Sequence, residues 1–235
     1  MKMKKTLRKG FTLVELLVVI AIIAVLAGLA TPAILKAKKN ADKAKTINNA
    51  RQIGIALSEF DNSFGSYPSD DTRQTLEDEG IDVPDGDHSN AYFAQLILSK
   101  AISGEKIFYA KGVRGVTKEG DDITSSRDKV LERGECGFGY VMLSDNEALS
   151  ASYSSPSTPL VVAPLKEGGT DPVFNATAYN NECVYLRGDS SVATNRLTEE
   201  GKAALTGQRG KDLFSTGEDT IWEDDEPDVK APDGV

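Results

Sequence analysis

Two hydrophobic patterns of different kinds follow one another near the amino terminus. No charged residue occurs from Leu16 to Ala30, and residues 11–32 supply the about 20 residues that a bilayer-spanning helix needs. Over residues 33–64 apolar side chains recur at steps of three and four, which is the spacing of one helix face. Pro32 lacks a backbone donor and predicts a kink. We therefore expect one long bent helix, with a membrane-spanning lower half and an amphipathic upper half that packs on a globular head.

Polar residues mark the start of the apolar run. Glu15 is its single charge, and a carboxylate in a spanning helix is costly unless it has a partner. Gly10 lies before the run, whereas the cleavage site of an ordinary secretory signal follows its apolar core. Positively charged flanks stay in the cytoplasm, so residues beyond Pro32 are predicted to lie outside it. The positive flank consists of Lys2, Lys4, Lys5, Arg8 and Lys9.

The string GFTLVELLVVIAIIAVLA, which begins at Gly10, resembles the class III signal of type IV pilins and type II secretion pseudopilins. The resemblance implies that a prepilin peptidase removes residues 1–10 by cutting after Gly10 and methylates the new amino terminus at Phe11. It also implies that Glu15 neutralises the amino-terminal amine of a neighbouring subunit during assembly. The alternative is that Glu15 merely reaches the membrane interface and Gly10 is incidental.

The stretch ARQIGIALSEFDNSFGSYPSD, residues 50–70, resembles the matching part of major pseudopilins, so the resemblance extends over residues 1–68. It implies a pilin-like α+β fold in which the long helix packs on an antiparallel sheet. Residues 65–235 are the predicted extracytoplasmic head, with an acidic and irregular tail over residues 218–235. Predicted strands cover residues 106–110, 137–144, 159–165, 182–187 and 191–194, and predicted helices cover 72–79, 90–102 and 198–205.

Charge and cysteine content narrow the choice of function. The formal net charge is −9, and loss of the five leader cations would make it −14, which argues against nucleic-acid binding. Cys136 and Cys183 are the two cysteines, and a location outside the cytoplasm favours a disulfide between them. Two buried free thiols are the alternative.

Catalytic motifs are missing from the sequence. The single histidine, His88, is interpreted as a loop residue, and no phosphate-binding, HExxH or GxSxG string occurs, so an enzyme is not expected. Gly137 and Gly139 are interpreted as strand residues that allow close backbone approach. No cofactor is required by this interpretation. A structural calcium ion is one interpretation of the acidic runs, and a solvated acidic surface is the other. These runs are Asp85 with Asp87, Asp121 with Asp122, and residues 223–226 with Asp228.

These inferences combine into one functional hypothesis. The chain is predicted to be a single-pass inner-membrane protein that polymerises through its apolar helix into a type II secretion pseudopilus supporting protein export. The resemblance implies self-association, a prepilin peptidase, an assembly platform with its ATPase, and membrane lipid as partners. A surface type IV pilin is one alternative, and a membrane-anchored binding or enzymatic domain is another.

Overall fold

A computed structural model describes residues 11–113, 115–124, 126–152, 155–204 and 211–234. The predicted leader, including Gly10, lies outside the described residues. The chain divides into two compact units, residues 1–38 and 39–235. Helix α1, Leu13–Phe64, contributes to both units, as the hydrophobic pattern predicts.

The first unit is the apolar part of α1. Its most apolar 18-residue window has a mean hydropathy of 2.9, and none of that window is buried. Among the described residues, α1 is the one helix long and apolar enough to cross a membrane. The helix continues through Pro32 without interruption, and the Thr31 hydroxyl donates to the Ala27 carbonyl at 2.7 Å. The kink expected at Pro32 stays a prediction.

In the second unit, the rest of α1 packs on the head through one face. Gly54 allows this close packing, because a Cβ placed there would lie 2.9 Å from Leu186 Cδ1. Two polar contacts fix the helix further: the Thr46 and Tyr179 hydroxyls lie 2.7 Å apart, and Asn49 Nδ2 donates to the Tyr109 carbonyl at 2.9 Å. The amphipathic pattern predicts the apolar part of this face from Ala50 to Phe60, whereas the buried polar residues Thr46 and Asn49 lie outside that pattern. The buried residues of the face are Thr46, Asn49, Ala50, Ile53, Gly54, Ala56, Leu57 and Phe60.

Two shorter helices, α2 at Asp70–Asp78 and α3 at Ser89–Leu98, follow α1. Ser69 caps α2 in a capping box with Thr72, because each side chain bonds the backbone N–H of the other residue. Three single 3₁₀ turns follow over Lys106–Phe108, Arg127–Lys129 and Ser144–Asn146.

The described residues of the head form seven strands in two antiparallel sheets. The larger sheet has the order β6-β5-β2-β1-β7, and β3 pairs with β4 in the smaller one. The expected α+β fold with an antiparallel sheet is confirmed. The strands are β1 Gly139–Leu143, β2 Pro159–Ala163, β3 Leu165–Glu167, β4 Val173–Phe174, β5 Glu182–Arg187, β6 Val192–Arg196 and β7 Pro227–Lys230.

Three expectations for the head are wrong. The segment predicted as a strand over residues 106–110 contains a 3₁₀ turn, because Phe108 enters the core and stacks on Phe93 with ring centroids 5.1 Å apart. Residues 198–204 are not helical, since Leu197 and Ala203 form an isolated bridge; residue 205 lies outside the described residues. The acidic tail is not wholly irregular, because β7 pairs with β1 through four residue pairs.

The predicted disulfide is also wrong in this structure. Cys136 and Cys183 are buried free cysteines, and their thiols donate to the carbonyls of Phe138 at 3.5 Å and Asn195 at 3.6 Å. Cys183 lies on β5, and Cys136 precedes β1, which is two strands away from β5. Strands two positions apart are separated by roughly 9–10 Å. A disulfide requires Cα atoms within about 7 Å, so the topology keeps the thiols apart.

Candidate functional site

The first turn of α1 holds Glu15 in a capping box. Thr12 precedes the helix, and Glu15 is its third residue. Glu15 Oε2 accepts from the Thr12 backbone N–H at 2.9 Å and from its hydroxyl at 2.7 Å, while the Glu15 N–H donates to Thr12 Oγ1 at 3.2 Å. This arrangement satisfies backbone donors that have no partner within the helix, and it places a carboxylate at the positive end of the helix dipole. Glu15 therefore has a local structural role.

Phe11, the predicted new amino terminus, lies one residue before this capping box and is 75% exposed. Gly10 lies outside the described residues, so cleavage and methylation stay predictions. The bonds from Thr12 both reach Oε2 of Glu15, and Oε1 takes part in neither of them. The carboxylate is thus held close to the position where processing would create a cationic amine.

The helix beyond this turn exposes apolar side chains on all sides. A helix that is hydrophobic all round normally lies within a membrane or within a protein assembly. The sequence alone predicts this surface, because the hydrophobic pattern and the apolar composition of the segment define it. Its large exposed side chains are Leu13, Val14, Leu16, Leu17, Val18, Val19, Ile20, Ile22, Ile23, Val25, Leu26, Leu29, Ile34 and Leu35.

Lys230 forms ion pairs with one acid from each of two acidic runs. The Lys230 side chain is 6% exposed, and its ammonium nitrogen lies 2.7 Å from Asp87 Oδ1 and 2.6 Å from Asp228 Oδ2. Asp85 pairs instead with Arg127 at 2.5 Å. Residues 223–225 line a polar cleft beside Trp222. These acid groups are therefore engaged in protein contacts or border a cleft.

The remaining acidic run, Asp121 with Asp122, lies beside two buried glutamates, Glu105 and Glu135, which the sequence does not reveal. One carboxylate oxygen from each of Glu105, Asp121 and Glu135 lies within 4.8 Å of the others. Asp122 pairs with Lys106 and also accepts the backbone N–H of Glu105 at 2.9 Å. Each glutamate follows a glycine and lies outside any periodic apolar pattern, so no periodicity reveals its burial.

His88 has a structural role. It precedes α3, and its Nδ1 accepts the backbone N–H of Ala91 at 3.2 Å. The sequence interpretation of a loop histidine is thereby refined to a half-buried helix cap.

Comparison with known proteins adds family information to this geometry. The family model described as the prokaryotic N-terminal methylation motif matches residues 5–31. The type II secretion system core protein G of Aeromonas hydrophila is 34% identical over 81 residues, which are 34% of this chain and 52% of that protein. The corresponding protein of Klebsiella pneumoniae is 27% identical over 133 residues, 49% of this chain and 92% of that protein.

A type IV major pilin, PilE1 of Neisseria gonorrhoeae, is 31% identical over 97 residues, 41% of this chain and 56% of that pilin. The chain thus spans about half the length of the Aeromonas protein and of this pilin. No solved structure matches it significantly. The matched motif covers the capped acid, Glu15, and the apolar part of the helix up to Thr31. The chain carries the N-terminal methylation motif and is similar to type IV pilins and to type II secretion core proteins.

Proposed function

We propose that this chain is a pseudopilin, a filament subunit of a type II secretion-type system that supports protein export. The observation that carries the proposal is the exposed apolar helix that begins with a capped Glu15, inside a methylation motif matched at residues 5–31. Members of this family are structural subunits, so the role is assembly and not catalysis.

The apolar part of α1 acts first as a membrane anchor. The basic leader, residues 1–10, stays on the cytoplasmic side, and the head lies outside the cytoplasm. Prepilin peptidase cuts after Gly10 and methylates Phe11, which leaves the whole apolar helix attached to the mature chain. The assembly platform and its ATPase then extract subunits from the inner membrane.

The same surface becomes the filament core after extraction. Lipid tails and a bundle of apolar helices are similarly non-polar, so transfer between them is decided by packing and by polar pairs. An unpaired carboxylate at mid-membrane depth costs about 2.5–3.5 kcal/mol, and less near a helix end. A neighbour's Phe11 amine would neutralise Glu15, so the pair favours one axial register over the others.

Alignment coverage favours a pseudopilin over a surface type IV pilin used for adhesion, motility or DNA uptake. The protein G relatives are covered over 47–92% of their length, two of them over 83% and 92%, whereas the PilE1 pilins are covered over 51–56%. The type IV pilin remains the second candidate, since PilE1 of Neisseria gonorrhoeae matches at 31% identity.

Intact-mass spectrometry of the membrane-extracted protein tests processing. We expect a mass without residues 1–10 and with one additional methyl group, about 14 Da. An intact leader, or cleavage after Ala30, would show an anchored or secreted domain and overturn the proposal. Loss of protein export without loss of surface filaments, when the gene is deleted, separates a pseudopilin from a type IV pilin.

Two substitutions separate the proposed pairing of Glu15 from its capping role. Glu15→Gln keeps an oxygen that accepts the Thr12 N–H but removes the charge. We expect Glu15→Gln and Glu15→Ala to be processed normally and to be impaired in filament incorporation, as measured by shearing and sedimentation. Glu59→Ala, an exposed acid on the same helix, is the matched control. Normal filaments from Glu15→Gln would show that charge pairing is not needed.

A further inference from the structure

Three lysines follow directly after the apolar part of α1. Ile34 and Leu35, which are 63% and 54% exposed, are the last large side chains of the apolar surface. Lys36, Lys38 and Lys39 come next on the same helix; the first two are exposed and the third is half-buried. Cations that border an apolar helix surface are the side chains that meet lipid headgroups.

Acids of the head neutralise lysines farther along the helix but not all of these. Lys43 forms an ion pair with Glu182, and Lys45 forms one with Glu119. Among the described residues, Lys38 and Lys39 form neither an ion pair nor a hydrogen bond. Asp and Glu outnumber Lys and Arg by 36 to 27 in this chain, so two adjacent cations without an acid partner indicate an anionic partner outside the chain.

The length of the apolar segment places the three lysines at headgroup depth. At 1.5 Å per residue the helix rises about 33 Å from Leu13 to Leu35, compared with a hydrocarbon thickness of about 30 Å. The headgroup layer adds about 5–7 Å on each side, and residues 36–39 cover about the next 6 Å of the helix. When the helix begins at the cytoplasmic surface, these side chains therefore reach the phosphates of the opposite leaflet.

The lysines are spread around the helix. At about 100° per residue, Lys38 lies about 160° around the helix from Lys36, and Lys39 lies between them. Lys36 and Lys38 thus lie on nearly opposite sides. A single protein surface contacts one side of a helix, whereas lipid headgroups surround it, so this distribution favours lipid over a second copy of the chain.

We propose that Lys36, Lys38 and Lys39 bind the phosphates of anionic phospholipids in the leaflet opposite the leader. This inference rests on the membrane-anchored stage of the proposed function and names the lipid class that the anchored subunit contacts. The cation of a zwitterionic headgroup compensates its phosphate, whereas an anionic headgroup such as phosphatidylglycerol keeps its net charge. Anionic lipids therefore attract the lysines more strongly.

Processing would move the cationic contact from one leaflet to the other. Removal of residues 1–10 takes five cations away from the cytoplasmic flank, while the three lysines stay with the mature chain. Each cation near an anionic surface strengthens membrane association by about fivefold. The lysines would therefore retain the processed subunit in the membrane until it is extracted into a filament.

Photolabelling of the full chain in nanodiscs tests this contact. The probes are phosphatidylglycerol and phosphatidylcholine that carry a diazirine on the headgroup, each added in trace amount to phosphatidylcholine nanodiscs, and peptide mass spectrometry measures labelling of residues 34–41. We expect phosphatidylglycerol to label this segment at least about fivefold more than phosphatidylcholine. Replacing all three lysines, by Lys36→Gln, Lys38→Gln and Lys39→Gln together, should reduce the ratio to about 1. Lys100→Gln, which removes an exposed cation of the head, should leave it unchanged.

The emission of buried Trp222 reports whether the triple variant keeps a folded head. If it does not, the double variant of the two exposed residues, Lys36→Gln with Lys38→Gln, decides, and its ratio should fall at least about twofold. A ratio that neither variant lowers overturns the proposal.

Three other outcomes also overturn it. Equal labelling of the wild type by both lipids does so while leaving the anchor and the pseudopilin role intact. Labelling of residues 34–41 by neither lipid shows that the lysines do not lie at headgroup depth. A triple variant that keeps the lipid preference but fails to enter filaments assigns the lysines to a second copy of the chain. An intact leader in the mass measurement, by contrast, counts against the proposed function.

Discussion

Replacing Gly137 by alanine tests a close backbone approach in the core of the head. A Cβ added at Gly137 would lie 2.6 Å from the Ala110 oxygen, 2.7 Å from its nitrogen and 2.8 Å from its Cβ. Ala110 is fully buried, and the Gly137 N–H donates to the Phe108 carbonyl at 2.9 Å, so neither segment can easily move. The glycine does not have a left-handed backbone, so the expected cost is steric.

The expected magnitude follows from the atoms that clash. Overpacking in a core costs about 1–3 kcal/mol, and we place Gly137→Ala near 3 kcal/mol because two of its three close contacts are to backbone atoms. For a chain of this size, 1 kcal/mol corresponds to about 2–4 °C in Tm, which gives a fall of about 6–12 °C. Gly169→Ala has no atom within 4 Å but a φ of +93°, so it should cost only about 1–2 kcal/mol.

Fluorescence of Trp222 provides the assay. Trp222 is the single tryptophan of the chain, it is 3% exposed, and its indole N–H donates to the Leu213 carbonyl at 2.9 Å. Its emission therefore reports unfolding of the head without interference from the apolar helix. A Gly137→Ala variant that melts within about 2 °C of wild type, and above Gly169→Ala, would refute the close approach of residues 110 and 137.

Three further predictions concern single groups in the head. Burial raises the pKa of Cys136 and of Cys183 to about 12, so about one thiol in ten thousand is ionised at pH 8. We therefore expect an alkylating reagent to leave the native protein unmodified and to add two adducts after denaturation without reductant. A disulfide between the two cysteines would give no adduct under either condition. His88→Ala should lower the free energy of unfolding by about 1 kcal/mol and His88→Asn by less, as measured by denaturant titration, and equal losses would exclude the capping role. Tyr179→Phe and Thr46→Val should each cost about 1 kcal/mol and be non-additive in the double variant, whereas additive losses would show that the 2.7 Å contact contributes nothing.

Local patterns predict the helical parts of this fold well. The long helix follows from hydrophobic periodicity, and the Ser69 cap follows from the position of a serine before a polar helical segment. The pairing of β5 with β6 follows from the turn residues at 188 and 189. The close contact between Gly137 and Ala110 is indicated by the paired glycines 137 and 139 in an otherwise apolar stretch. The helix, the cap and the hairpin depend on residues that are close in sequence, whereas Gly137 approaches Ala110, which lies 27 positions earlier.

Distant partners decide the parts that the sequence does not reveal. Residues 227–230 combine a proline, an acid and a lysine with a single valine, and they become a strand because β1 offers a free edge. Glu105 and Glu135 are brought together by the path of a long connection. Glu15 could be found because it is the one charge within a long apolar run, whereas these two glutamates lie in no such run.

The position of β7 constrains when the head can fold. Its partner β1 precedes it by more than eighty residues, and β7 completes one side of the five-stranded sheet. Until residue 230 has been synthesised, β1 lacks that neighbour, and Lys230 cannot reach Asp87. The sheet is therefore completed only after nearly the whole chain has been made, and the edge of β1 stays open to pairing with other chains until then.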